Sequence, residues 1–321
     1  MAGYIDSLGW IIRFPPKGDT SVSDFYRNVL QLPFVRGFDV AHRVEFYWAG
    51  EAMIFELIIE GRTTSAPPLE TDPATCSLIP SFRVHGLDEL TDALRSRGAF
   101  VSSAQRYARG REAFVRDPLG GLIGLREADR ESNLAHDVEA RRRWRRGEAF
   151  NVGCDPMPAG WQELGWVVRH VADVPSMKHF YTDTMGLSVV AEEDGRVLLD
   201  LGDNSILELA PGGKITTPPT HRHELMSTFI LRIRQLDRFR EELQARGVHM
   251  VHEFIQWPAG ALTYVADPEG HVIGIEERYH PSRYLSKTLP PFPEDLEALR
   301  RQKEQLADHH DAGPTAAEAI A

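Results

Sequence analysis

Cysteine is scarce: Cys76 and Cys154 are the only two in 321 residues, far apart and in no CxxC pair. This excludes a disulfide framework and a cysteine-based zinc site, and it fits a reducing cytoplasm. Long apolar runs are missing too, since no stretch approaches the roughly 18 uninterrupted apolar residues of a membrane-spanning helix. The opening MAGYIDSLGWIIRFPPKGD lacks a basic start followed by an apolar run, so no export signal is expected. Basic charge is in deficit, with 36 Lys and Arg against 47 Asp and Glu and a net charge of −11. Such a surface repels phosphate backbones and anionic lipid, so neither nucleic acid nor a membrane is an expected partner. What remains is 42% hydrophobic and 26% charged, a globular composition with chain enough for two domains.

The sequence repeats itself. LGWIIR at 8–13 returns as LGWVVR at 164–169, and Phe25-Tyr26 returns as Phe180-Tyr181. IFEL at 54–57 returns as ILEL at 206–209, and DPLGGLIGL at 117–125 returns as DPEGHVIGI at 267–275. The offset drifts only from 156 to 150 residues, as in two homologous modules that differ by small loop insertions.

Each module opens with a short apolar strand, followed in the second by helical spacing from Pro175 to Met185 and a stop at Gly186. RVLLDL and SILEL read as strands joined at Gly202-Asp203-Asn204. TFILRI is a further strand, FREELQARG an amphipathic helix, and ALTYV and HVIGI are strands flanking a DPEG turn. The order of strand, helix and several strands occurs four times, which predicts an α+β fold of mainly antiparallel sheets. The modules span 1–127 and 163–284. Between them, 128–162 is a charged linker whose first part, with Arg141, Arg142, Arg143, Arg145 and Arg146, reads as a solvated or interdomain helix. Residues 285–321 form an extension ending in a disordered tail.

The repeated unit with LGWVVRHVAD, FYTDTMGL, an ILEL strand and a closing DPEGHVIGI resembles the vicinal oxygen chelate superfamily of glyoxalase I, bleomycin-resistance proteins and type I extradiol dioxygenases. The resemblance covers about residues 5–127 and 163–280, and the two-module layout is most similar to the dioxygenases. It implies four βαβββ units forming curled sheets, two units to each, around a cavity that usually holds a divalent metal. In the dioxygenases, the ligand positions implied by the resemblance are a His, a His and a Glu, and they fall here on Trp166, Thr228 and Gly274. None of these supplies an imidazole or a carboxylate. The first module departs in the same way, with Trp10 and Gly124, and Leu78 and Ile79 bring no imidazole. No metal or other cofactor is therefore expected. Glu56 and Glu208 remain on the strand that supplies a carboxylate ligand in glyoxalase-like relatives.

Several residues could still do chemistry. Tyr264 stands where the resemblance implies a cavity tyrosine, as hydrogen-bond donor or acid, while the first module has Phe114. The second module is therefore expected to be the working one. Period-two alternation puts Glu208 on the face of Ile206. Burial there would raise its pKa and fit it for acid–base work, unless it pairs with an arginine such as Arg169. His170 follows Trp166 by four residues on the same strand face, as a base, a ligand or a structural hydrogen-bonder. His221 and His223 cluster beside Glu224, and His223, Glu208 and His170 form an imaginable replacement metal site. Trp10 and Trp166 either stack an aromatic ligand or plug degenerate cavities. Three functions stay open. The favoured one is a metal-independent isomerase or lyase in which Glu208 and Tyr264 move a proton. Trp166, His170, Thr228, His223, Trp10 and Glu56 then line the site for a small aromatic or polyketide-like molecule. The second is a binding protein of bleomycin-resistance type, and the third is a ring-cleaving dioxygenase with atypical ligands. A monomer or a homodimer would serve each.

Overall fold

The computed structural model describes residues 4–16, 19–39, 43–50, 53–59, 71–145, 157–220, 224–257 and 260–278. The expected four units are present. The first holds β1 (Ile5–Arg13), α1 (Ser21–Asp24), β2 (Phe34–Asp39), β3 (Arg43–Trp48) and β4 (Ile54–Ile59). The second holds β5 (Ile79–Val84), α2 (Leu87–Ser96), β6 (Phe100–Val101), β7 (Gln105–Tyr107), β8 (Gly110–Arg116) and β9 (Leu122–Ala128). After α3 (Ala135–Arg145), the third holds β10 (Trp161–Val171), α4 (Val174–His179), β11 (Ser188–Glu193), β12 (Arg196–Gly202) and β13 (Ser205–Pro211). The fourth holds β14 (Ser227–Ile233), α5 (Leu236–Ala245), β15 (His249–Trp257), β16 (Gly260–Ala266) and β17 (Val272–Arg278). Helix α4 starts where its sequence says it should: Asp173 caps it by accepting from the Ser176 amide at 3.1 Å, with Pro175 in the first turn. The repeated Phe-Tyr pairs open a widened π-helical turn after both α1 and α4.

The strands do not pair within each half of the sequence. Sheet A runs β15-β16-β17-β14-β1-β4-β3-β2 and joins the fourth unit to the first, while sheet B runs β11-β12-β13-β10-β5-β9-β8-β6 and joins the third to the second. The seams are antiparallel, β1 on β14 and β10 on β5, whereas the first strand of each unit joins its last in parallel. Each inner face is thus shared between the two modules.

The repeated motifs tie the sheets together. Arg13 of LGWIIR, Tyr26 and Asp117 of DPLG meet in one buried cluster, with Arg13–Asp117 at 3.4 Å and Tyr26 Oη–Asp117 at 3.4 Å. Arg169, Tyr181 and Asp267 form its counterpart, with Arg169–Asp267 at 2.9 Å and Tyr181 Oη donating to Asp267 at 3.1 Å. Each arginine also reaches across to a backbone carbonyl of the other sheet, Leu122 or Val272. Pairing therefore links the first unit to the fourth and the second to the third, and these clusters link the first to the second and the third to the fourth.

Alternation along the strands separates two faces. Leu57, Leu207, Leu231, Ile275 and their neighbours form one core with residues of α2, α4 and α5. The opposite, inner faces carry smaller clusters. Helix α3 takes the interdomain form, with one face on sheet B and the other exposed. Leu134, just before it, packs with Trp166, Leu198 and Ile206 on the inner face of sheet B. Asp137 faces Arg83 at 3.9 Å, Arg143 reaches Glu163 at 3.3 Å and His136 faces Asp200 at 3.4 Å. Its charges pair with the sheet it covers. Among the described residues, no helix is long and apolar enough to cross a membrane.

Candidate functional site

On sheet A the register lays out the inner face row by row. One row runs Trp48, Ile54, Trp10, Ile230, Gly274 and Tyr264, and the next runs Phe46, Glu56, Ile12, Thr228, Val272 and Ala266. Nearly all of them belong to one apolar cluster. Thr228 is buried, with its hydroxyl donating to the Val272 carbonyl at 2.9 Å. The strand partner of Trp10 and Gly274 is Ile230, so Thr228 lies one row away from the position assigned to it by resemblance. A Cβ at Gly274 would stand 2.0 Å from Ile230 Cδ1 and 3.2 Å from Tyr264 Cε1. The space of the missing carboxylate is filled. Arg232 carries its guanidinium 5.8 Å from the centre of the Trp10 ring.

Sheet B repeats the pattern with different chemistry. Its row is Asp200, Ile206, Trp166, Ser81, Gly124 and Phe114, and a Cβ at Gly124 would meet Ser81 Oγ at 2.1 Å. Beside this row Arg126 is buried, with its guanidinium 4.8 Å from the Trp166 ring and 4.9 Å from the Tyr107 ring. It donates to Glu112 at 3.0 Å through Nε and to Glu208 through Nη1. Glu208 also accepts from Arg196, whose side chain lies at the rim. Burial alone would raise the Glu208 pKa, but Arg126 and Arg196 outweigh it and hold the carboxyl below its usual range. The expected rise is thus corrected, and its partners are Arg126 and Arg196, since Arg169 is engaged with Asp267.

The structure separates several of the residues that the sequence grouped. Glu208, Trp166 and His170 lie on sheet B, whereas Tyr264, Thr228, Trp10 and Glu56 lie on sheet A. Glu208 and Tyr264 do not form a pair, and the carboxylates sharing a face with Tyr264 are Glu56 on β4 and Glu276 on β17. Trp166 presents no free stacking surface, because Arg126 lies over it and Leu134 packs beside it. His170 is buried, and its Nδ1 lies 2.9 Å from the Cys76 carbonyl. A carbonyl only accepts, so Nδ1 carries the proton and Nε2 the lone pair. Burial lowers the His170 pKa, the Cys76 bond opposes it, and the ring stays neutral near pH 7. His221 and His223 lie outside the described residues, as does the extension 285–321. Sequence reasoning missed Arg126, Arg196 and Ile230. Arg126 had a signal, since it occupies the place that Glu276 takes 150 residues later.

The next residue of the closing turn gives a pH dependence. Burial and Arg169 pull the His271 pKa down to about 4, against a raising effect from Asp267. The native state therefore holds the ring neutral, while the unfolded chain takes up a proton near pH 6.5. Stability should be full above that pH and fall by up to about 1.4 kcal/mol per pH unit as pH drops from 6.5 towards 4. Urea unfolding from pH 7 to 4 measures this slope, and His271→Gln should flatten it.

Among the described residues, the positions that hold the metal by resemblance do not fit a divalent ion. The carboxylate positions on the last strands are glycines packed under Ile230 and Ser81, and Glu208 is already neutralised by arginines. No group of three or more His, Cys, Asp or Glu among the described residues could hold a metal ion.

Known proteins agree with this fold. Residues 163–275 match the family model of the Glyoxalase/Bleomycin resistance protein/Dioxygenase superfamily. The crystal structure of a candidate dioxygenase from Bacillus subtilis superposes with a TM-score of 0.63 at 15% identity, covering 95% of this chain and 97% of that one. Glyoxalase I from Zea mays does so with a TM-score of 0.59 at 13% identity, covering 95% and 96%. At such identities the likeness shows the fold alone. No curated protein matches the sequence at a significant level. Residues 163–275 thus form a domain of the glyoxalase, bleomycin resistance and dioxygenase group, the vicinal oxygen chelate superfamily, and the solved structures share their fold with 95% of the chain.

Proposed function

We propose that the protein binds a small, mainly apolar aromatic molecule on the inner face of sheet A, without a metal ion. The observation that carries this reading is the lining of that face. Trp10, Phe46, Trp48 and Tyr264, buried in one apolar cluster, are its aromatic side chains, and Thr228, Glu56, Glu276 and the Tyr264 hydroxyl are its few polar groups. Mostly apolar walls with sparse polar anchors suit such a ligand. Sheet B is the poorer candidate, since Arg126, Glu208 and α3 fill its face. Acid–base conversion of the ligand, of isomerase or lyase type, is the second reading. It is favoured by Glu56 and Tyr264 sharing one face, and Tyr264 would act as the acid. The lack of a His, His and Glu set at the positions that the resemblance implies speaks against the dioxygenase reading.

Titration with 2-naphthol, followed by tryptophan fluorescence in the presence of EDTA, tests the assignment. Trp10→Phe and Tyr264→Phe should each weaken binding by about tenfold, the loss of one contact or hydrogen bond. Trp166→Phe should leave it unchanged. Equal loss in all three variants, or binding only after metal is added, would overturn the assignment. Product formation that disappears in Glu56→Gln would favour the second reading over simple binding.

A further inference from the structure

We propose that the inner face of sheet B is a cation cage, selective for a planar guanidinium group and occupied by the chain's own Arg126. Two buried carboxylates, Glu112 on β8 and Glu208 on β13, reach the guanidinium from opposite sides. Glu112 meets it at 3.0 Å from Nε and 2.9 Å from Nη2. Cζ also lies over the Trp166 and Tyr107 rings, 4.8 and 4.9 Å from their centres. The charges balance, since Arg126 and Arg196 face Glu112 and Glu208, and the second oxygen of Glu112 accepts from Gln105 at 3.2 Å.

This geometry selects the kind of cation. Carboxylates at Nε, Nη1 and Nη2 match the fork of a guanidinium, and neighbouring aromatic rings stabilise its delocalised charge. A divalent ion needs oxygen or nitrogen ligands on every side, and the two rings offer it none. The position is therefore a site for organic cations that the protein fills from its own β9. This inference does not depend on the ligand proposed for sheet A.

The test is chemical rescue of Arg126→Ala, read as the melting temperature Tm with millimolar methylguanidinium, and with sodium, magnesium or manganese chloride at matched ionic strength. The variant should melt below the wild type, and methylguanidinium alone should raise its Tm in a saturable way. The wild type, with its cage filled, should not respond. A variant that sodium chloride rescues equally, that does not respond, or that binds one manganese with a matching rise in Tm would overturn the proposal. So would an equal response of the wild type. Should Arg126→Ala fail to fold, the triple variant Arg126→Met, Glu112→Gln, Glu208→Gln removes all three charges. It should fold and ignore methylguanidinium, and either failure to fold or a saturable response would overturn the cage.

Discussion

Replacing Asp267 by Ala should destabilise the protein by about 3–5 kcal/mol, the usual cost of stranding one member of a buried ion pair. The arginine left behind, Arg169, is buried, and after the change only the Tyr181 hydroxyl and the Val272 carbonyl would face it. The same carboxylate also accepts the amides of Glu269 at 3.1 Å and His271 at 2.9 Å, so the turn into β17 would loosen as well. Urea unfolding measures the loss. The double variant Arg169→Met, Asp267→Leu should recover only part of it, because no buried charge is left unpaired but the Glu269 and His271 amides and the Tyr181 hydroxyl still lose their acceptor. Replacing Asp129, whose bond to Arg106 lies on the surface, should barely move the midpoint. An Asp267→Ala protein as stable as the wild type would mean that these clusters do not hold the sheets together.

Gly202→Val should cost about 2–4 kcal/mol, from a left-handed backbone that suits glycine and from overpacking. Gly202 has φ +80°, and a Cβ there would stand 2.1 Å from the Asp6 carbonyl oxygen and 3.2 Å from Ser7 Cα. Both obstacles are backbone atoms of β1, which cannot swing aside. The contact is reciprocal: Gly50, the corresponding position of the first unit, lies against Glu163 at the start of β10, where a Cβ would come within 2.7 Å of Glu163 Cβ. Thermal unfolding of Gly202→Val tests the close approach. Gly195→Ala is the control, since φ there is +72° but nothing lies within 4 Å of a Cβ. If both variants lost the same stability, backbone conformation alone would be responsible.

The fold was legible because its signals are local. Alternation in SILEL placed Glu208 and Ile206 on one face, and the four repeated motifs announced two modules. Partner choice between units was not legible, because β1 and β10 are equally apolar and nothing in LGWIIR or LGWVVR says which seam strand each will meet. That choice decides the site. Had each half closed on itself, Tyr264 would have shared a face with Trp166 and Glu208; with the first unit paired to the fourth, it faces Trp10 and Glu56. The repeated Arg, Tyr and Asp were visible as matches, yet their meaning lies in contacts across 86 to 104 residues. Arg126 escaped notice for the same reason, since its partners Glu112 and Glu208 come from different units.

Metal content of the purified full chain, measured by elemental mass spectrometry after growth with added iron, manganese, nickel and zinc, tests the central claim most directly. The glycines packed under Ile230 and Ser81, and the arginines on Glu208, predict well below one equivalent of any transition metal, with 2-naphthol binding intact in EDTA. About one equivalent, lost together with 2-naphthol binding on chelation, would contradict the account and return the protein to metal-dependent chemistry.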